Sequence, residues 1–184
     1  MPKALPNQAA IIIIGGGVVG CSIAYHLGKL GISDVLLLER KQLSSGTTWH
    51  AAGLVGQLRA TQNLTQLAKY STELYARLEA ETGQATGFKQ NGSLALATDG
   101  ERLEELRRGA SMARVFGLAV EEVSAGDILA MHPLINVDDV VGGVFLPKDG
   151  QINPSDLTQA LAKGARAGGT AILARQLRCD ARSF

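Results

Sequence analysis

Residues 11 to 39 restrict what this 184-residue chain can fold into more than any other stretch. Ile11, Ile12, Ile13 and Ile14 are consecutive, β-branched and without polar alternation, the pattern of a strand covered on both faces of a parallel sheet. Gly15, Gly17 and Gly20 follow as G-x-G-x-x-G. The first glycine permits a tight turn, the second lets backbone approach a pyrophosphate, and the third lets a helix pack close to the strand. The amides that open this helix, around Val18 and Val19, have no intrahelical acceptor and are free for phosphate oxygens. Val19, Ile23, Leu27 and Leu30 fall on one helical face, which is expected to lie on the sheet, and Gly31 is placed to end the helix. Residues 35–38 form a second strand with Glu39 at its end, where a carboxylate accepts from both ribose hydroxyls of an adenosine and repels a 2′-phosphate, disfavouring NADP. A glycine turn alone also occurs without any ligand. Here strand, turn, helix, strand and carboxylate come in order, which favours a dinucleotide site for FAD or NAD.

The segment after Glu39 narrows that choice. Arg40 and Lys41 lead into Ser44, Ser45, Gly46, Thr47 and Thr48, small residues that offer amides and hydroxyls to a ligand. Trp49 and His50 come next, then Ala51, Ala52, Gly53 and Leu54, whose short side chains let a flat ring lie against backbone, as a flavin requires. Taken alone, His50 reads as a surface or hydrogen-bonded core histidine.

Composition excludes several classes. The formal net charge is +1 and no basic cluster interleaves with aromatics, which argues against nucleic acid. No apolar span reaches twenty residues, so a membrane partner is not expected and a soluble, cytoplasmic chain is. Cys21 and Cys179 match no C-x-x-C spacing, so neither a metal site nor a disulfide framework is indicated; Cys21 reads as a small buried thiol.

The remaining chain alternates helix and strand. Leu64, Leu67, Leu74 and Leu78 mark an amphipathic helix over about 63 to 82, stopped by Gly83. Residues 93–98 alternate between two turn signals and read as a short strand. Leu103, Leu106, Ala110 and Ala113 form a second helical stripe, ended by Gly117, with the acidic and basic residues between them on a solvated face. Ser124 and Asp127 fit a capping box, and His132-Pro133 stops that helix. Residues 140–146 read as a strand whose glycine pair marks a bulge or a close backbone approach. Asn153 and Pro154 start a helix with Leu157, Ala160, Leu161 and Ala165 on its buried face, and Ala171 begins one more strand.

The string Ser45-Gly46-Thr47-Thr48-Trp49-His50-Ala51-Ala52-Gly53-Leu54, just after an acidic strand end, closely resembles the flavin-attachment segment of the sarcosine and dimethylglycine dehydrogenases, within the glycine oxidase and D-amino-acid oxidase superfamily. Asn91-Gly92-Ser93-Leu94, the stretch from Pro133 to Asp139, and Asp149-Gly150 with Pro154 match in order and spacing, so the resemblance runs from about residue 9 to about residue 168. It implies an α/β fold: a Rossmann-like FAD-binding parallel sheet with helices over residues 1–85 and 150–184, and the first part of an inserted substrate-side β layer over 86–149. It implies that Gly15, Gly17, Val18, Val19 and Gly20 cradle pyrophosphate, that Glu39 lies at the ribose, that Gly46 to Leu54 lie at the isoalloxazine, and that Arg40 and Ser45 also belong to the cofactor site. His50 would be bonded to the 8α-methyl carbon of FAD; a non-covalent flavin with His50 merely adjacent is the alternative.

The implied activity is oxidation of an N-methylated amino acid such as sarcosine or dimethylglycine, a hydride passing from the N-methyl or α carbon to flavin N5 and water hydrolysing the resulting imine. No general base and no electron acceptor are assigned. Relatives continue well beyond this length, and residues 174–184 lack the apolar strand pattern expected there, as in a truncated or frame-altered end. Two other functions therefore stay open: a non-catalytic FAD-binding fragment or subunit needing a partner chain, and an NAD-dependent dehydrogenase.

Overall fold

The computed structural model describes residues 6–174; the expectation for the last eleven residues, and Cys179, lie almost wholly outside them. Within this span the chain forms two compact units. The first comprises Met1–Gly53, Arg77–Gly87 and Ile152–Phe184, the second Leu54–Ala76 and Phe88–Gln151.

In the first unit, β1 (Ile11–Ile14), β2 (Val35–Glu39) and β8 (Ala171–Ala174) make a parallel sheet in the order β1-β2-β8. Helix α1 (Val18–Lys29) connects β1 to β2, the expected crossover, and Gly31 beyond it adopts a φ of +80°, which only glycine takes without strain. Helix α5 (Pro154–Ala167) precedes β8. Asn153 caps it by accepting from the amides of Ser155 and Asp156, and Pro154 sits in its first turn, where a missing N–H costs nothing.

Two burial expectations are corrected here. The isoleucine strand is not covered on both faces: Ile13 is buried, whereas Ile12 is 56 % and Ile14 85 % exposed. β1 is the edge of the three-stranded sheet, and the exposure on this face is confined to it, since Leu36, paired with Ile12 on β2, is buried. Similarly, the apolar face of α1 is turned outward, with Val19, Ile23 and Leu30 exposed. The face that packs carries Gly20, Cys21, Ala24 and Tyr25, and its main partner is α5 rather than the sheet. Small residues set that contact. A Cβ on Gly28 would stand 3.1 Å from Gly168 Cα, and one on Gly164 2.6 Å from the Tyr25 ring.

Helix α2 (Gln62–Thr82) appears as expected, but only the later half of its leucine stripe is inside: Leu74 and Leu78 are buried, Leu64 and Leu67 exposed. At its carboxyl end, in the first unit, Glu81 receives Lys29 Nζ at 2.7 Å, the Tyr25 hydroxyl, and Arg77 Nε at 3.0 Å. The Lys29 ammonium and then the Tyr25 hydroxyl hold the Glu81 carboxyl down to about 2. This cluster links α1 to the end of α2 and has no catalytic geometry.

The second unit holds an antiparallel sheet in the order β4-β6-β5, from β4 (Ser93–Ala97), β5 (Glu121–Val123) and β6 (Gly142–Leu146). β6 starts two residues later than expected, at Gly142, whose φ is +152°. Its neighbour Gly143 is a close backbone approach, since a Cβ there would lie 2.6 Å from Ala95 O. A two-stranded pair, β3 (Leu54–Val55) with β7 (Gly150–Gln151), was not legible from periodicity. Helix α3 (Gly100–Val115) buries Ala110 and Ala113, and its charged residues form surface ion pairs. Helix α4 (Ala125–Met131) carries the full capping box of Ser124 and Asp127, with His132 as its C-cap. Among the described residues no helix is long and apolar enough to cross a membrane, and no cluster of three metal-ligating side chains occurs.

Candidate flavin site

Strand β1 delivers the chain into the glycine turn, where Gly15 has a φ of +111° and empty space on its Cβ side. The helix that follows keeps unpaired amides at its amino end, with one correction to the expected set: the Val18 amide is taken by Thr48 Oγ1 at 3.0 Å. Its N-cap, Gly17, offers no side chain, and the amides of Gly17, Val19 and Gly20 donate to no acceptor among the described residues; the first intrahelical bond is Cys21 N–H to Gly17 O at 3.0 Å. Unpaired amides with the positive end of a helix dipole are what a pyrophosphate needs. Gly20 fits against the strand: a Cβ there would fall 2.0 Å from Gly15 O.

The Glu39 carboxylate, expected at the ribose, is engaged with this turn. Glu39 Oε2 accepts from the Gly16 amide at 2.7 Å, and Oε1 accepts from the Lys41 amide at 2.7 Å. Each oxygen keeps a second lone pair for a ribose hydroxyl. Arg40 is exposed.

The segment after β2 folds back onto the glycine turn. The Ser44 amide donates to Gly16 O at 2.9 Å, and the Val18 amide donates to Thr48 Oγ1 at 3.0 Å. Thus Gly16, Gly17, Val18, Glu39 and Thr48 are brought together. Gly16 carries no signal of its own in the sequence reading, and Ser44, expected to offer its amide and hydroxyl to a ligand, turns both to the chain. Gly16 admits no side chain, because a Cβ would meet Leu43 Cδ2 at 2.5 Å; Ser44 is buried with a φ of 66° and donates its hydroxyl to Ser155 at 3.3 Å. A serine forced into the left-handed region leaves no periodic signal in sequence.

Thr48–His50 form one 3-10 turn, held by the Trp49 amide on Ser44 O at 3.3 Å and the His50 amide on Thr47 O at 3.2 Å. Trp49 and His50 are both exposed, and their rings face each other with centroids 4.2 Å apart. Ser45 is half-buried, while Gly46, Thr47, Ala51 and Ala52 are exposed. Gly53 is buried with a φ of +76°, and its carbonyl accepts from the Ile152 amide at 2.8 Å. Leu54, 81 % exposed, begins the second unit.

The glycine cradle, the bare helix end and the terminal carboxylate fit the adenosine diphosphate half of FAD. The comparisons with known proteins agree. Residues 10–179 match the FAD dependent oxidoreductase family, and the chain belongs to it. It is 41 % identical over 172 residues to a mitochondrial sarcosine dehydrogenase of Homo sapiens, covering 93 % of this chain and 19 % of that protein. It is likewise 41 % identical over 172 residues to a mitochondrial pyruvate dehydrogenase phosphatase regulatory subunit of Mus musculus, covering 94 % of this chain and 20 % of that protein. Among solved structures it is similar to an L-proline dehydrogenase of P. horikoshii, with a TM-score of 0.86 and 29 % identity, over 93 % of this chain and 45 % of that one. The chain therefore spans about one fifth of the length of these curated relatives.

Proposed function

We propose that this chain is the dinucleotide-gripping part of an FAD-dependent amine oxidoreductase that oxidises an N-methylated amino acid of the sarcosine or dimethylglycine kind, with the flavin bonded to His50. The observation that carries the reading is the joint between the glycine turn and the histidine turn: Thr48 accepts the Val18 amide at the helix start, and two residues later comes the exposed imidazole. One loop would thereby serve both the pyrophosphate end and the attachment point. Bound FAD would supply the two-electron oxidation at a carbon bonded to nitrogen. The chain's own groups would bind and orient it: Gly17, Val19 and Gly20 amides at the phosphates, Glu39 at the ribose, and residues 46–54 at the ring. The Trp49 ring lies beside the His50 imidazole, tilted by 41°. The intact mass after denaturation tests the tether. Wild type incubated with FAD is expected to retain an FAD-sized increment, and His50→Ala to lose it while still binding flavin in the folded state. Wild type that binds flavin but carries no increment would end the covalent reading.

A second reading has its own observation. A regulatory subunit is as similar to this chain as a dehydrogenase is, so a chain that binds FAD without turnover also accords with the family. Sarcosine-dependent reduction of an artificial dye by the flavin-loaded protein separates the two.

A further inference from the structure

The second unit contains a cavity of about 510 Å³ that the flavin site does not account for. Its walls are apolar over Leu54, Val55, Leu94 and Leu96, and one carboxylate, Asp149, belongs to its lining. The size and the mostly apolar wall with a few convergent polar groups are typical of small-molecule pockets. Leu54 belongs both to the segment assigned to the flavin ring and to this wall, so the cavity adjoins that segment along the chain itself.

Asp149 is unusual for a carboxylate. It is 4 % exposed. Oδ1 accepts from the Gln57 amide at 2.8 Å and Oδ2 from the Ser93 hydroxyl at 2.6 Å, both neutral donors. Among the described residues it has no ion pair. The guanidinium that comes near, that of Arg59, lies across Gly56: Arg59 Nη1 and Asp149 Oδ2 would each be 3.5 Å from a Cβ placed on Gly56, and Nη1 donates to Leu58 O at 2.8 Å. A buried carboxylate held by neutral donors is costly when the nearest guanidinium, Arg59, stays outside ion-pair contact and His132 lies elsewhere in the same lining, and a cation delivered by a ligand offsets that cost.

We propose that this cavity binds the N-methylated ammonium end of the substrate, with Asp149 as its counter-charge and the leucine and valine walls enclosing the methyl groups. This rests on the amine-oxidoreductase reading and adds to it which group of this chain recognises the amine. A strongly hydrated, unmethylated ammonium would gain less from such walls, so the pairing of one carboxylate with apolar neighbours selects for methylated nitrogen. The competing account makes Asp149 only a bracket that ties the backbone at Gln57 to the strand at Ser93.

The test is an NMR titration of the isotopically labelled protein, with and without FAD, using dimethylammonium, dimethylglycine and methoxyacetate. Methoxyacetate keeps the carboxylate but has no ammonium. The proposal expects the amide signals of Gln57 and Ser93 to shift with the first two and not with the third. Asp149→Asn preserves a hydrogen-bond acceptor for the Gln57 amide while removing the charge, and is expected to weaken dimethylammonium binding about tenfold or more. Equal shifts with methoxyacetate, no shift with dimethylammonium, or unchanged affinity in a folded Asp149→Asn protein would overturn it. If the variant does not fold, the wild-type comparison of cation with anion decides alone. Flavin binding is read separately by visible absorbance, so failure of the amine site and failure of the flavin reading are told apart.

Discussion

Helices α1 and α5 lie against each other in the same unit, yet their sequences behave in opposite ways. The apolar stripe of α5, Leu157, Ala160, Leu161 and Ala165, is buried as its spacing requires. The stripe of α1, Val19, Ile23 and Leu30, is exposed, and the helix instead packs through Gly20, Cys21, Ala24 and Tyr25. The difference shows that periodicity identifies an apolar face but not whether the chain supplies something to cover it. It also shows that close helix packing is recorded in small residues, which a hydrophobicity pattern undervalues.

That contrast can be broken experimentally. The largest effect is expected on the inner face: Leu161→Ala opens a cavity at a residue 1 % exposed and should cost about 3 kcal/mol in urea unfolding. A loss under about 1 kcal/mol would mean the α1–α5 contact is loose.

Cys21 probes the same face from the α1 side. Burial pushes its thiol up from 9.0 to about 11, with the Arg166 guanidinium opposing and the Glu39 carboxylate adding slightly. A raised thiol pKa favours the protonated native state, so the contribution is fully present below pH 9 and is lost as pH rises towards 11. Wild type should therefore lose up to roughly 2 kcal/mol more than Cys21→Ala across that window. Parallel pH profiles for the two proteins would show that the thiol is not enclosed.

The outer face should give the smallest effect. Ile23→Glu, at a position 47 % exposed, is expected within about 0.5 kcal/mol of wild type. A larger loss, or a change of oligomeric state by light scattering, would mean that something covers this face in solution.

Legibility from sequence followed the same division. Local structure was read correctly at the capping box of Ser124 and Asp127 and at the Asn153 and Pro154 helix start, because each is decided by residues within a few positions. The parallel crossover and its strands were equally plain. What escaped depends on distant partners: the exposure of Ile12 and Ile14, the two-residue strands β3 and β7, and Gly16, whose importance comes from the chain at residue 44 returning to residue 16. Asp149 was visible only within a stretch that resembles the family, and nothing near it in sequence says that its carboxylate is enclosed by Gln57 and Ser93.

The central claim is that the bare amides at the start of α1 and the Glu39 carboxylate grip the adenosine diphosphate half of FAD. Calorimetric titration of the folded protein with ADP and then with FAD tests this most directly, because ADP reports on that half alone. The account predicts that ADP binds one site per chain and is displaced by FAD, with Glu39→Ala weakening both by about tenfold or more. A folded protein that binds neither, or binds FAD undisturbed by ADP, would contradict it.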